Sequence, residues 1–191
     1  MMSRLGVWFM GVLARVPLPV LRAMGAALGR VLFVLVVPRR KVALRNLELC
    51  FPQASVEQRT QWARESFIVF CQTWLDRSWL WSAPQSVVEQ RVKLQGAVHE
   101  LDGDVPTIIF APHFYGLDAG GLVLPLRTSR AFTSIFSTHP DPVIDAWFMA
   151  GRQRFGDVRM LNRADGVKPI ISNLRKGGAA LPAVRHGLRR R

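Results

Sequence analysis

The sequence predicts an α/β fold, a mostly parallel sheet flanked by helices and led by an apolar helical segment at the amino terminus. Three observations carry this. From residue 92 onward, short apolar or β-branched runs alternate with stretches of helical periodicity, the pattern of strands joined by crossover helices. Before residue 38 the chain is strongly apolar with few charges. The run Thr107-Ile108-Ile109-Phe110 reads as a buried strand and ends in Ala111-Pro112-His113, so a titratable side chain stands where a strand opens into a turn.

Residues 5–37 are apolar but interrupted by Arg15, Arg22 and Arg30. No charge-free stretch approaches the roughly 18 to 20 residues that a spanning helix needs. No Ala-x-Ala-like site follows the apolar block 5–14, which speaks against a secretory signal. On a continuous helix Arg4, Arg15 and Arg22 fall at about 0°, 20° and 0° around the axis, one narrow basic stripe, with Arg30 about 80° away. That pattern suits a segment lying in a membrane interface with its arginines near lipid phosphates. The alternatives are a tilted span with snorkelling arginines and a helical hairpin packed on the domain's own core. Pro17 and Pro19 must break the segment into two helices. Arg39-Arg40-Lys41 follows Pro38 as juxtamembrane charge or as a solvated helix start.

Ser55 followed by Glu57 and Gln58 marks the next helix start. This helix carries Trp62, Phe67, Ile68, Phe70, Cys71, Trp74 and Leu75, with Trp79, Leu80 and Trp81 before Pro84. A stripe of this kind is a core face or a hydrophobic wall for acyl chains. Beyond it, residues 92–94 and 107–110 read as strands separated by a helix over 97–102. A helix follows Asp118 through Ala119-Gly120-Gly121. Residues 131–137 form a strand, 138–142 a turn, 143–155 a helix, 158–160 a short strand and 167–176 a helix.

Lys plus Arg outnumber Asp plus Glu by 26 to 13, a net charge of +13 that calls for an anionic partner. Nucleic acid is disfavoured, because the basic residues are dispersed and no zinc-finger, RNP or homeodomain pattern is present. Cys50 and Cys71 lack metal-ligand spacing and read as reduced, buried, inert residues of a chain facing the cytosol. His99 and His139 read as ordinary loop residues. No metal and no cofactor are expected.

His113 and Asp118 are the candidate reaction centre. Histidine is the usual general base near neutral pH, and a carboxylate is the usual group for fixing its tautomer. Residues five apart on a regular helix point about 140° apart. A bend is therefore needed, and Gly116 between them can supply it without a Cβ clash.

His113 and Asp118 match the His-x4-Asp/Glu motif of the glycerolipid and lipid A acyltransferases. The chain resembles specifically the late acyltransferases of lipid A biosynthesis, over about residues 5–178. The resemblance includes Arg45-Asn46-Leu47-Glu48-Leu49-Cys50-Phe51-Pro52, Gly151-Arg152-Gln153-Arg154-Phe155-Gly156 and Asn162-Arg163-Ala164-Asp165-Gly166-Val167-Lys168-Pro169. It implies a glycerolipid-acyltransferase-like fold and direct transfer of a fatty acyl chain. The donor would be an acyl-carrier-protein thioester and the acceptor a hydroxyl of a lipid A precursor. His113 would be the base, oriented by Asp118, with Arg152, Arg154 and Arg163 as substrate-binding cations. Arg152 and Arg154, two apart, cannot share one helix face, and Arg152 is the better candidate to point inward. The resemblance further implies a membrane anchor over residues 1–38 and a catalytic domain facing the cytoplasm at the inner membrane.

Two other readings compete. One is a non-catalytic basic protein that binds membranes or nucleic acid, which would not need the ordered series of blocks from Asn46 to Lys168. The other is a glycerol-phosphate acyltransferase of the same fold, whose Phe-Pro-Glu-Gly-type block is absent from this sequence. The expected organisation is a membrane-associating segment over 1–38, an acyltransferase domain over 39–178 lacking its carboxy-terminal part, and a non-native tail over 179–191. The tail is basic and reads as lacking strand-like alternation, and a frameshift near Gly178 would explain it.

Overall fold

The computed structural model describes residues 2–181. The chain divides into two compact units. Residues 10–78 form one, and residues 2–9 with 79–181 form the other.

The helical unit contains the end of α1 (Met2–Leu13), then α2 (Leu18–Leu35), α3 (Val37–Cys50) and most of α4 (Val56–Leu80). Pro17 stands at the N-cap of α2, so the apolar segment is broken where the prolines require. Arg15 falls in the turn between α1 and α2, and the basic stripe therefore does not run along one helix. α2 buries Leu21, Gly25, Gly29 and Phe33, one residue per turn. The glycines permit a backbone-to-backbone approach to α4. A Cβ on Gly29 would lie 2.5 Å from the Ile68 Cα, and one on Gly25 would lie 2.9 Å from the Gln72 Cα. Beyond them the Phe33 and Phe67 rings meet edge to face at 5.6 Å. Arg22 pairs with Asp76 at 2.7 Å, and Gln72 Nε2 donates to the Arg22 carbonyl at 3.0 Å. The other side of α2 exposes Val20, Met24, Leu28, Val31, Val34 and Leu35. By length and composition α2, with its two arginines, could cross a membrane.

The Ser55 hydroxyl accepts from Gln58 N at 3.2 Å and caps α4 as its sequence predicts. The aromatic stripe divides. Cys71, Trp79, Leu80 and Trp81 are buried, whereas Phe70 and Trp74 are exposed. Burial pushes the Cys71 thiol pKa up, away from reactivity. Cys50 corrects the expectation of burial. It ends α3, a helix with no buried residue, and is exposed.

The α/β unit continues from the end of α4 through α5 (Gln85–Arg91) and a 3-10 turn at Val98–Leu101. Residues 92–94 were expected as a strand but run without a strand partner into the Gly96 turn. Four parallel strands follow, β1 (Thr107–Ile108), β2 (Phe132–Phe136), β3 (Val158–Asn162) and β4 (Ala179–Leu181), in the order β1-β4-β2-β3. The helices joining them are α6 (Leu117–Val123), α7 (Pro142–Arg152) and α8 (Lys168–Arg175). The path across the sheet reverses only at β3 to β4. Right-handed crossovers therefore put α6 and α7 on one face and α8 on the other. The contacts agree, with α6 against α7 and α8 against β4 and β2.

Two expectations change here. The run 107–110 is not a buried strand. β1 is an edge strand of two residues with β4 as its neighbour, and Ile108 and Phe110 are 66% and 75% exposed. Residues 179–181, expected to open a non-native tail, form an inner strand flanked by β1 and β2. Small residues suit that place, where Ala179 and Ala180 are buried. The rest of the expected tail lies outside the described residues.

Asp141 caps α7 by accepting from Val143 N and Ile144 N at 2.9 and 3.1 Å. It also accepts from the Ser3 hydroxyl. That bond, with the two amides, holds its carboxyl below the usual carboxylate range. α7 stops at Arg152, short of the expected 155, and the chain then turns at Gly156, where φ is 68° and a Cβ would lie 2.6 Å from the Pro125 Cβ.

Arg130, buried just ahead of β2, organises the strand starts. Its Nε donates to the Gly177 carbonyl at 2.8 Å, Nη1 to Leu101 O and Thr107 Oγ1, and Nη2 to Val105 O and Gly178 O. Replacing Arg130 with Met keeps the bulk but strands these buried carbonyls. It should lower stability by about 3–5 kcal/mol in urea unfolding. A loss below about 1 kcal/mol would mean that water substitutes for the guanidinium.

Candidate active site

After β1 the chain passes Pro112 and His113 into a tight turn in which Phe114 N donates to the Pro112 carbonyl at 2.7 Å. Gly116 follows at φ 86°, the left-handed conformation that a Cβ disfavours, and is the N-cap of α6. The bend demanded by the five-residue spacing is therefore present at the predicted glycine, and Asp118 stands in the first turn of α6.

His113, Asp118, Arg152 and Arg163 line one cavity of about 650 Å³. Each belongs to a different part of the fold. His113 follows β1, Asp118 opens α6, Arg152 ends α7 and Arg163 follows β3. The histidine and Arg163 thus lie beyond the carboxyl ends of parallel strands, where ligand crevices form in open α/β sheets. The floor is mostly apolar, and near the end of β2 consecutive residues, Ser134, Ile135, Phe136 and Ser137, line it. Phe132, Ser134 and Phe136 of β2 face it with Val158 and Met160 of β3. The intervening Thr133 faces α8, where Asn173 Nδ2 lies 3.5 Å from its hydroxyl.

Arg152 Nε donates to Asp118 Oδ1 at 3.1 Å, and the carboxylate is the more enclosed partner, 11% exposed against 34%. The Arg152 guanidinium also lies 5.2 Å from the centre of the Phe148 ring. Ser134 Oγ donates to the Leu181 carbonyl at 2.8 Å, which engages the hydroxyl nearest the cavity floor.

Arg154 is not brought to the cavity. Its Nη1 and Nη2 donate to the Leu80 and Ala83 carbonyls at 2.7 and 2.6 Å, closing the end of α4, and burial pulls its pKa down. One turn earlier Gly151 admits the buried Trp81, whose indole would lie 2.3 Å from a Cβ there. His139 shapes its own loop by accepting from Asp141 N through Nδ1 at 3.1 Å. The cavity residues that sequence reasoning did not single out include the apolar ones, Leu122, Phe132, Met160 and Leu181 among them, and the hydroxyls of Ser134 and Ser137. The β-branched and aromatic run 132–136 marks the strand, but no alternation within it marks which side chains face the cavity.

A family profile described as bacterial lipid A biosynthesis acyltransferase matches residues 1–191. The chain is 29% identical over 176 residues to a lipid A biosynthesis acyltransferase of Haemophilus influenzae, a match covering 91% of this chain and 55% of that protein. It is 31% identical over 174 residues to the lipid A biosynthesis myristoyltransferase of Escherichia coli, covering 88% and 52%. The Escherichia coli lauroyltransferase matches at 24% over 176 residues, covering 91% and 56%. The chain therefore spans about half the length of the curated relatives it matches.

The bonds of Arg154 predict a structural effect of its loss. Arg154→Ala should lower stability by about 1–3 kcal/mol in thermal melts, with affinity for a phosphate-bearing ligand unchanged. Unchanged melting together with weakened ligand binding would return Arg154 to the cavity.

Proposed function

The chain belongs to the bacterial lipid A biosynthesis acyltransferase family, and from that premise we propose that it moves a fatty acyl chain from an acyl-carrier-protein thioester to a hydroxyl of a lipid A precursor. The observation that supports this best is the convergence of His113, Asp118, Arg152 and Arg163 on one apolar-floored cavity.

In this reading His113 removes the proton from the acceptor hydroxyl as its oxygen attacks the thioester carbonyl carbon. The new C–O bond completes a tetrahedral intermediate. Its collapse breaks the C–S bond, and the imidazolium returns the proton to the departing thiolate. Protons and electron pairs balance with ester and thiol as products, and no enzyme nucleophile is required. Asp118 orients the imidazole and stabilises its cation. Arg152, hydrogen-bonded to Asp118, fixes the carboxylate in turn. The apolar floor suits the acyl chain, and the cations suit the anionic part of the acceptor. The basic excess of the chain would speed encounter with an acidic carrier protein and an anionic lipid.

Attachment to the cytoplasmic face of the inner membrane belongs to the same proposal. α2 packs one side on α4, a helix with several charged residues, and leaves its other side apolar and exposed. That division suits a helix lying in the interface.

In a transfer assay with purified acyl-carrier-protein donor, His113→Ala should cost at least about a hundredfold. Asp118→Asn should cost a comparable factor with unchanged melting. Near-normal turnover in either variant would refute the dyad. Replacing Leu28, Val31, Val34 and Leu35 together with Gln should move the protein from the membrane to the soluble fraction, whereas high salt alone should not. Full release of the unmodified protein by salt would show attachment through charge only.

A further inference from the structure

The loop that follows β3 is built around Arg163 in a way the dyad does not use. Asn162 is the last residue of the β2–β3 ladder, opposite Phe136. Its side chain makes two bonds in different directions. Oδ1 accepts from Ala164 N at 3.0 Å, and Nδ2 donates to Thr138 Oγ1 at 2.7 Å in the loop that leaves β2. Its backbone N–H donates to Asp165 Oδ2 at 2.7 Å, completing a reciprocal capping box across a three-residue 3-10 turn. Gly166 closes the turn at φ 70° and ψ −165°, a region that only glycine enters readily. The backbone on both sides of Arg163 is thus held by side chains, and the loop is tied to the neighbouring strand end.

The Arg163 side chain is treated differently. It lines the cavity, yet among the described residues its guanidinium has no hydrogen-bond partner, whereas Arg152 is engaged by Asp118. A fixed backbone that presents an unengaged planar fork of donors is suited to an anion supplied from outside, and phosphate oxygens match that fork bidentately.

We infer that Asn162, through the capping box with Asp165 and the bond to Thr138, is a positioning residue that aims Arg163 at a phosphate group of the acceptor, making Arg163 the residue that selects phosphorylated acceptors. This rests on the acyl-transfer reading for the identity of the acceptor, but it concerns binding and is tested apart from transfer.

The test is equilibrium binding of the full chain, in nonionic detergent micelles, to a lipid A precursor and to an analogue with hydroxyls in place of its phosphates. Arg163→Ala should weaken binding of the phosphorylated precursor about tenfold or more, the scale of a lost charge-assisted hydrogen-bond pair. Asn162→Ala should weaken it by a similar factor, and the double variant by no more than either alone, because the asparagine acts through the arginine. Asn162→Asp keeps an acceptor for Ala164 N and can accept from the Thr138 hydroxyl, so it should restore binding. The analogue should bind all variants alike. Thermal melts of Asn162→Ala and of Asp165→Ala, which opens the box from its other side, separate a misplaced arginine from an unfolded loop. Additive losses, equal losses toward the analogue, or Arg163→Ala within twofold of the parent would overturn the inference. The expected binding pattern in a chain that transfers no acyl group would refute the catalytic reading alone.

Discussion

Arg130 sits buried where β1, β2 and β4 begin, and its five N–H donors meet five oxygens of the backbone and of Thr107. A guanidinium in such a place would be destabilising if any donor were left without an acceptor. Here it draws together the residues that lead into β1 and into β4, 105–107 and 177–178, around the one that precedes β2. Asn173 adds to the same corner, donating through Nδ2 to the Ala131 and Ala179 carbonyls at 3.0 and 3.1 Å. These bonds hold the amino ends of the strands together and fix the parallel register. A strand as short as β1 has too few ladder bonds to set its own register, so the anchor at its start matters more than the pairing itself.

With the strand starts fastened, the opposite ends of the strands are free to diverge into loops, and the cavity forms there. The cavity is assembled from turns of different kinds, the Gly116 bend after β1 and the capped turn after β3. Each uses a glycine at positive φ to change direction within a few residues. The arginines show how little sequence spacing reveals about role. Arg152 and Arg154 are two residues apart, yet one engages a cavity carboxylate and the other seals the end of α4.

Much of this was legible beforehand for local reasons. Residues 132–136 are β-branched or aromatic except for Ser134, Ser55 and Asp141 have side chains that cap, and Gly116 is the one residue between His113 and Asp118 that turns without strain. What was not legible depends on partners distant in sequence. Ala179-Ala180-Leu181 has no strand propensity to speak of and becomes an inner strand because small residues fit between neighbours already in place. Residues 92–94 have the propensity and find no neighbour among the described residues. The exposure of Ile108 follows from the edge position of β1, which nothing local encodes.

Ser3, in the first turn of α1, gives α7 an unusual pair of dependencies. At one end its cap, Asp141, accepts from Ser3. At the other, about 16 Å away for eleven residues, Arg152 grips the Asp118 carboxylate in the cavity that His113 also lines. Between the two, Trp81 packs against the helix at Gly151. The α1 hydroxyl and a carboxylate of the cavity wall are thus joined through one helix, so a change at Ser3 is felt first at a cap and then along the element that holds Asp118.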